Sequence, residues 1–133
     1  MILLDSHVLV WLDTGSERLG AKCRERIDEA YREGEVAVSG ISFWEAAMQA
    51  SRGRIELSLP TSAWRRDLLA AGVREIPVDG EIGIAAATLE DFHGDPADRI
   101  LTATAILLRT ELVTADRKIL AWPGALDRFD ATR

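Results

Sequence analysis

The sequence predicts an α/β fold in which a parallel sheet is covered on both faces by helices. Three observations predict it. Short apolar runs of strand length alternate with longer segments of helical periodicity. The runs Ile2-Leu3-Leu4 and Val36-Ala37-Val38 are continuously apolar, as strands buried on both faces must be. Turn and cap residues separate the segments, and no repeat, low-complexity tract or linker divides them. Residues 1–133 therefore read as one domain, long enough to bury a real core.

The elements follow in order. Residues 2–5 are a short buried strand. Residues 7–12 form a helical turn, because Val8, Trp11 and Leu12 share a face. Residues 19–33 are a charged helix that Gly34 terminates. After the strand Val36-Ala37-Val38, residues 42–52 are an apolar helix with Ser42 as its N-cap and Gly53 near its end. Leu59-Pro60 marks a break, and residues 61–71 form a helix ended by Gly72. The segment from Val73 to Val78 alternates but contains Pro77, which places it near a sheet edge. Residues 80–91 are a small-residue helix. Gly94-Asp95-Pro96 is a turn, with the proline starting a helix over about 97–109. Leu112-Val113-Thr114 is a strand, followed by a short helix at 117–121 and a tail with one further short strand.

Composition narrows the setting. The chain is 47% hydrophobic and 29% charged, which suits a soluble globular protein. Cys23 is the only cysteine, so no intramolecular disulfide can form, in keeping with a reducing compartment. The N-terminus lacks the basic region of a signal peptide, and no apolar stretch is long enough to span a membrane. The expected location is the cytoplasm. The net charge of −6 argues against a generic basic nucleic-acid binder. It does not exclude a metal nuclease, whose acidic ligands count toward the total and whose bound cations reverse the local field.

Four carboxylates stand where apolar elements should begin or end. Asp5 closes the first strand, Glu45 interrupts the apolar stretch from Ile41 to Met48, Asp98 opens a long apolar helix, and Asp116 follows a strand. Carboxylates in such places are costly unless paired. A hard divalent cation such as Mg²⁺ or Mn²⁺ takes oxygen ligands and would pair them, which points to metal-assisted phosphodiester chemistry. In open parallel sheets, sites lie beyond the carboxyl ends of the strands, where Asp5 and Asp116 fall. Each aspartate also has a local explanation. Asp5 and Asp116 could cap the helices after them, Asp98 suits a helix dipole, and Asp95 before Pro96 is a better cap still. Glu45 could pair with Arg99, although its apolar neighbours make a buried Glu there harder to dismiss.

At these residues the chain resembles the PIN-domain ribonucleases, in the VapC-type group of bacterial toxin–antitoxin pairs. The resemblance rests on the segments Leu4 to Trp11, Val38 to Glu45, Ser51 to Ile55, His93 to Leu101 followed by Ala103 and Ala105, and Leu112 to Asp116. The order and spacing of these segments are more specific than any one of them. Ser6 and Phe43 depart mildly from the family pattern, and neither departure removes an acid. The resemblance implies a PIN-like three-layer sandwich around a parallel sheet of about five strands. It also implies Mg²⁺- or Mn²⁺-dependent cleavage of RNA. Asp5, Glu45, Asp98 and Asp116 would form the catalytic acidic site. Asp5 and Asp98 would be the firmest metal ligands, with Asp116 acting directly or through a water. Glu45 would bind metal or position water, and Asp95 would be a cap or a supporting group. A homodimer and a small inhibitory antitoxin are the implied partners.

Other residues carry weaker expectations. Ser6 and Thr114 flank the acids and could bond a carboxylate or a phosphate, or satisfy the strand ends. Arg99 is expected to hold the acidic cluster together through charge-assisted hydrogen bonds. His7 and His93 read as structural, and they lack zinc spacing with Cys23. Arg52, Arg54, Arg65 and Arg66 could meet RNA phosphates or simply form solvated faces and ion pairs. Trp44 is expected in the core and Trp64 in a groove for a partner. Two other classes compete with the nuclease reading. One is a non-catalytic PIN-fold binding partner, which would have no need of the acids. The other is a receiver-like phosphotransfer domain, which would carry an acidic pair after its first strand where this chain has Ser6-His7.

Overall fold

The computed structural model describes residues 1–133. The strands β1 (Ile2–Leu4), β2 (Val36–Ser39), β3 (Arg74–Ile76), β4 (Glu111–Thr114) and β5 (Arg128–Asp130) form one five-stranded sheet. Every pairing is parallel, in the order β3-β2-β1-β4-β5. The helices are α1 (Ser6–Thr14), α2 (Ala21–Arg32), α3 (Gly40–Ser51), α4 (Thr61–Ala70), α5 (Gly80–Ala87), α6 (Pro96–Leu108) and α7 (Arg117–Leu120). None is long and apolar enough to cross a membrane.

The continuous apolar strands are buried because both faces of the sheet are covered. Ile2, Leu4, Val36, Val38 and Val113 point into one core with Val8 and Leu9 of α1, Cys23 and Ile27 of α2, Phe43 of α3 and Trp64 of α4. Leu3, Ala37 and Leu112 point the other way, against Leu101 and Ala105 of α6, Ile119 of α7, Phe92 and Trp122. This is the period of two expected of strands, read out in two layers of helix. Leu3, Leu101 and Leu112 are completely buried. Each such side chain stabilises the fold by about 1.5–3 kcal/mol relative to exposure.

The strand order fixes where a site can form. The chain runs outward from β1 through β2 to β3, then returns to place β4 on the opposite side of β1. The crevice beyond the carboxyl ends of β1 and β4 lies at this reversal of winding direction. Leu4 pairs with Val113, so Asp5 and Thr114 leave the sheet side by side.

Several helix starts differ from the sequence expectation. Ser39, and not Ser42, caps α3, accepting a hydrogen bond from the Ile41 amide at 3.2 Å. The helix begins as soon as β2 ends, which moves Ser42 inside it and leaves that residue buried. The α5 helix stops at Ala87 and does not reach residue 91. Asp91, at φ 56, holds a left-handed conformation that no helix continues through. The first helix is longer than the turn expected, running to Thr14 before Gly15 ends it at φ 65. The segment from Val73 to Val78 contributes β3, which is an edge strand.

The last residues close the N-terminus of α2. Gly20, its N-cap, has no side chain to offer, and its amide donates to the Ala131 carbonyl at 2.9 Å. The Cys23 amide donates to the Arg133 carbonyl at 2.9 Å. A Cβ on Gly20 would lie 1.9 Å from that carbonyl oxygen. Gly20→Ala is therefore expected to destabilise the chain by about 1–3 kcal/mol, the usual cost of forcing an extra methyl into a packed contact. Denaturant unfolding checks this. An unchanged midpoint would show that the 131–133 segment is free to move aside.

Candidate active site

Asp5 is the buried centre of the site, at 3% exposure. It ends β1 and caps α1, and its Oδ1 accepts from the Ser6 amide at 2.7 Å. Its Oδ2 accepts from the Thr114 hydroxyl at 2.6 Å. The same hydroxyl accepts from the Asp116 amide at 3.0 Å. One fully buried threonine side chain thus joins the ends of the two central strands and both of their aspartates. Asp116 in turn caps α7, with Oδ1 accepting from the amides of Lys118 at 2.9 Å and Ile119 at 3.0 Å.

Glu45 reaches the same place from α3. Its Oε1 accepts from the Ser6 hydroxyl at 2.5 Å, and that hydroxyl shares a second hydrogen bond, of 2.8 Å, with Ser42. Burial drives the Glu45 carboxyl up to about 7, against the opposing effect of the Ser6 hydrogen bond. The negative charges of Asp5, Asp98 and Asp95 push it further in the same direction.

Asp98 lies in the first turn of α6, which Pro96 and Asp95 start. Asp95 is the N-cap, and its Oδ1 accepts from the Asp98 amide at 3.0 Å. Asp98 Oδ2 lies 2.7 Å from Nε2 of His93. Burial again drives its carboxyl up, to about 6, with Asp5, Asp95 and Asp116 adding to the rise and the His93 bond opposing it. Asp5, Ser6, His7, Glu45 and Asp98 line one open cavity of about 330 Å³, walled on its apolar side by Val10, Trp11 and Ile55. Asp116 meets Asp98 on another side, where single ligand atoms of His93, Asp98 and Asp116 all lie within 4.8 Å of one another.

Arg99 does not hold this cluster, contrary to the sequence expectation. One residue further along α6 it points away from Asp98, and its guanidinium donates to the carbonyls of Ala86, Leu89 and Phe92. Arg99 therefore ties α6 to the end of α5 and the following loop. It does not pair with Glu45. Trp44 is likewise not a core residue. It is 57% exposed, because α3 buries the face carrying Ser42, Phe43 and Ala46. Trp64 is buried edge-on against Phe43, with ring centroids 5.7 Å apart. Arg65 pairs with Glu75 through two hydrogen bonds of 2.7 and 2.8 Å. The sequence reading missed Ser42 as a partner of Ser6 and missed the contact of His93 with Asp98. The signal for His93 was its place in the segment that also carries Asp95 and Asp98.

None of Asp5, Glu45, Asp98 and Asp116 is in an ion pair with a lysine or arginine. The protein thus gathers acidic oxygens and supplies no fixed cation to neutralise them. Two of the carboxyls hold their protons well above the usual range, through burial first and the neighbouring negative charges second. Oxygen donors with uncompensated negative charge fit a hard divalent cation.

Comparison with known proteins agrees with this architecture. The PIN domain profile matches residues 2–123. Ribonuclease VapC22 of Mycobacterium tuberculosis is 39% identical over 119 residues, covering 89% of this chain and 88% of that protein. A toxin–antitoxin complex from Klebsiella pneumoniae contains a chain that superposes with a TM-score of 0.66 at 22% identity, over 98% of this chain and 99% of the other. VapBC2 from Rickettsia felis, bound to a DNA fragment from its promoter, gives 0.69 at 16% identity over 98% of each chain. FitAcB from Neisseria gonorrhoeae gives 0.66 at 19% identity, again over 98% of each. At these identities the solved structures speak for the fold. With a profile match over nearly the whole length and a relative at 39% identity, the chain belongs to the PIN-domain family, in its VapC-type group.

Proposed function

We propose that this protein is a metal-dependent endoribonuclease and the toxin of a toxin–antitoxin pair, acting in the cytoplasm. The observation that carries the reading is the convergence of Asp5, Glu45, Asp98 and Asp116 beyond β1 and β4, without a balancing basic residue, in a chain of the VapC-type group. RNA as substrate and an antitoxin as partner come from the relatives' names. The exposed apolar side chains of Trp44, Ile84 and Leu108 leave surface for an antitoxin or a second copy of the chain.

Asp5, Asp98 and Asp116 would hold Mg²⁺ or Mn²⁺. When bound, such an ion supplies neutralisation of charge on the phosphate oxygens and access to a nucleophile at neutral pH. The chain's own residues do the rest. Thr114 fixes the orientation of Asp5 while tying Asp116 to it. Asp95 sets the first turn of α6, and so the position of Asp98. Glu45 faces the cavity with its carboxyl poised near neutrality, where a general base works best. Ser6, held by Ser42, aims that carboxyl. The role assigned to Glu45 is to position a water and accept its proton.

The test is cleavage of a mixed RNA panel by purified protein freed of any partner, with Mg²⁺, with Mn²⁺ and with a chelator. Cleavage is expected only with metal. Asp5→Asn and Asp98→Asn should each reduce it by at least about a hundredfold, the upper end of what loss of a group supporting a metal ligand costs. Folded variants as active as the parent chain would refute the assignment.

A second prediction concerns pH. Glu45 and Asp98 keep their protons to about pH 7 and about pH 6 in the folded chain, against 4.5 and 3.8 for free groups. Across that window the folded state binds more protons than the unfolded one, so stability falls as pH rises. Without metal, Glu45→Gln is expected to melt higher than the parent chain at pH 8, with the difference shrinking toward pH 5. Thermal unfolding at both pH values measures it, and a Glu45→Gln variant that melts lower at pH 8 would contradict the account.

A further inference from the structure

We propose that His93 supplies a nitrogen ligand to the cation site, alongside Asp98 and Asp116, and that the chain therefore binds Mn²⁺ in preference to Mg²⁺. This rests on the metal-dependent reading above and adds to it the identity of one ligand and the choice of ion.

The geometry carries the inference. Nε2 of His93 lies 2.7 Å from Asp98 Oδ2, and the ligand atoms of His93, Asp98 and Asp116 fall within a 4.8 Å span. Neighbouring ligands on a six-coordinate ion with bonds near 2.1 Å sit about 3 Å apart, and opposite ones about 4.2 Å apart. The three groups already occupy nearly that space. Asp116 also has its Oδ1 committed to the amides of α7, which holds its carboxylate in a fixed orientation.

The imidazole is held in place as well. Its ring stacks on Phe92, with centroids 4.5 Å apart and planes 19° from parallel, and Phe92 is buried against Trp122. The loop before α6 is further pinned by Arg99, which bonds the Phe92 carbonyl.

The other histidine in the chain would have to give up a bond to the backbone, whereas His93 would give up only its bond to Asp98, itself one of the proposed ligands. Nε2 of His7 accepts from the Ala115 amide at 3.0 Å, which places its proton on Nδ1, facing Asp5 at 3.6 Å. His93 is thus the nitrogen donor placed to reach a cation among the acids. Carboxylates suit both ions, but Mg²⁺ demands a near-ideal octahedron of oxygens and accepts a nitrogen less readily than Mn²⁺ does. A nitrogen in the set shifts the choice toward Mn²⁺.

The experiment uses the whole chain labelled with ¹⁵N-histidine, freed of metal and loaded with Mn²⁺ alone. Pulsed electron paramagnetic resonance reads nitrogen coupling to the ion directly. A ¹⁵N coupling is expected in the parent chain. It should persist in His7→Gln and vanish in His93→Gln. By calorimetry, His93→Gln should weaken Mn²⁺ binding about tenfold or more while changing Mg²⁺ binding little. The spectrum of the parent chain and of His7→Gln decides the matter even if His93→Gln folds poorly. Bound Mn²⁺ without nitrogen coupling, or a coupling lost in His7→Gln, overturns the inference and leaves the nuclease reading intact. No bound Mn²⁺ overturns the inference, and no binding of Mg²⁺ by calorimetry either overturns the metal-dependent reading with it.

Discussion

The site is governed by like-charge crowding at the carboxyl ends of β1 and β4. Parallel pairing of these strands brings Asp5 beside Thr114, and the Thr114 hydroxyl binds Asp5 and Asp116 together. Asp98 and Glu45 then approach from helices on different parts of the chain. Bringing carboxylates this close in a partly desolvated crevice is unfavourable by itself. The chain offsets the cost locally, with hydroxyls, amides and one imidazole, and leaves the net charge unneutralised. That choice separates a cation site from a structural ion-pair network.

The same logic explains where the basic residues went. Arg99 is adjacent to Asp98 in sequence, yet its guanidinium donates to three backbone carbonyls and to none of the acids. Arg65 and Arg26 are each tied to a glutamate, Glu75 and Glu111. Arginines are thereby kept as struts between elements and away from the pocket. An arginine inside the cluster would occupy the position of the cation and lower the carboxyl values that mark Glu45 and Asp98 as available ligands or bases. The apolar wall of Val10, Trp11 and Ile55 reduces the local polarity and strengthens whatever charge interactions the acids make.

Much of this was legible in the sequence, and the reason is physical. Strands buried on both faces must be nearly all apolar, so β1, β2 and β4 stood out, and each acid at their ends was conspicuous against that background. Pro96 and Asp95 announced the start of α6 by local chemistry alone. What was not legible depended on rotation or on distant partners. Trp44 lies on an apolar stretch whose solvent-facing side only packing decides. The direction taken by Arg99 depends on carbonyls freed where α5 ends, a boundary that periodicity placed too late. Ser42 was assigned a local capping role, but the strand-to-helix junction came earlier, at Ser39, and left Ser42 free to bond Ser6, which lies 36 residues away. The contact of His93 with Asp98 spans five residues across a loop and a helix start, too irregular for any periodic reading to show.

The central claim is that these acids form a divalent cation site. It is tested most directly by locating the ion. Crystals of the protein soaked in Mn²⁺ at neutral pH, measured on the high-energy side of the manganese absorption edge, give anomalous density only where the ion sits. The account predicts a peak in the crevice beyond β1 and β4, touching carboxylate oxygens of Asp5 or Asp98. Ordered, unliganded carboxylates with no peak among them, or a peak only elsewhere on the surface, would contradict it.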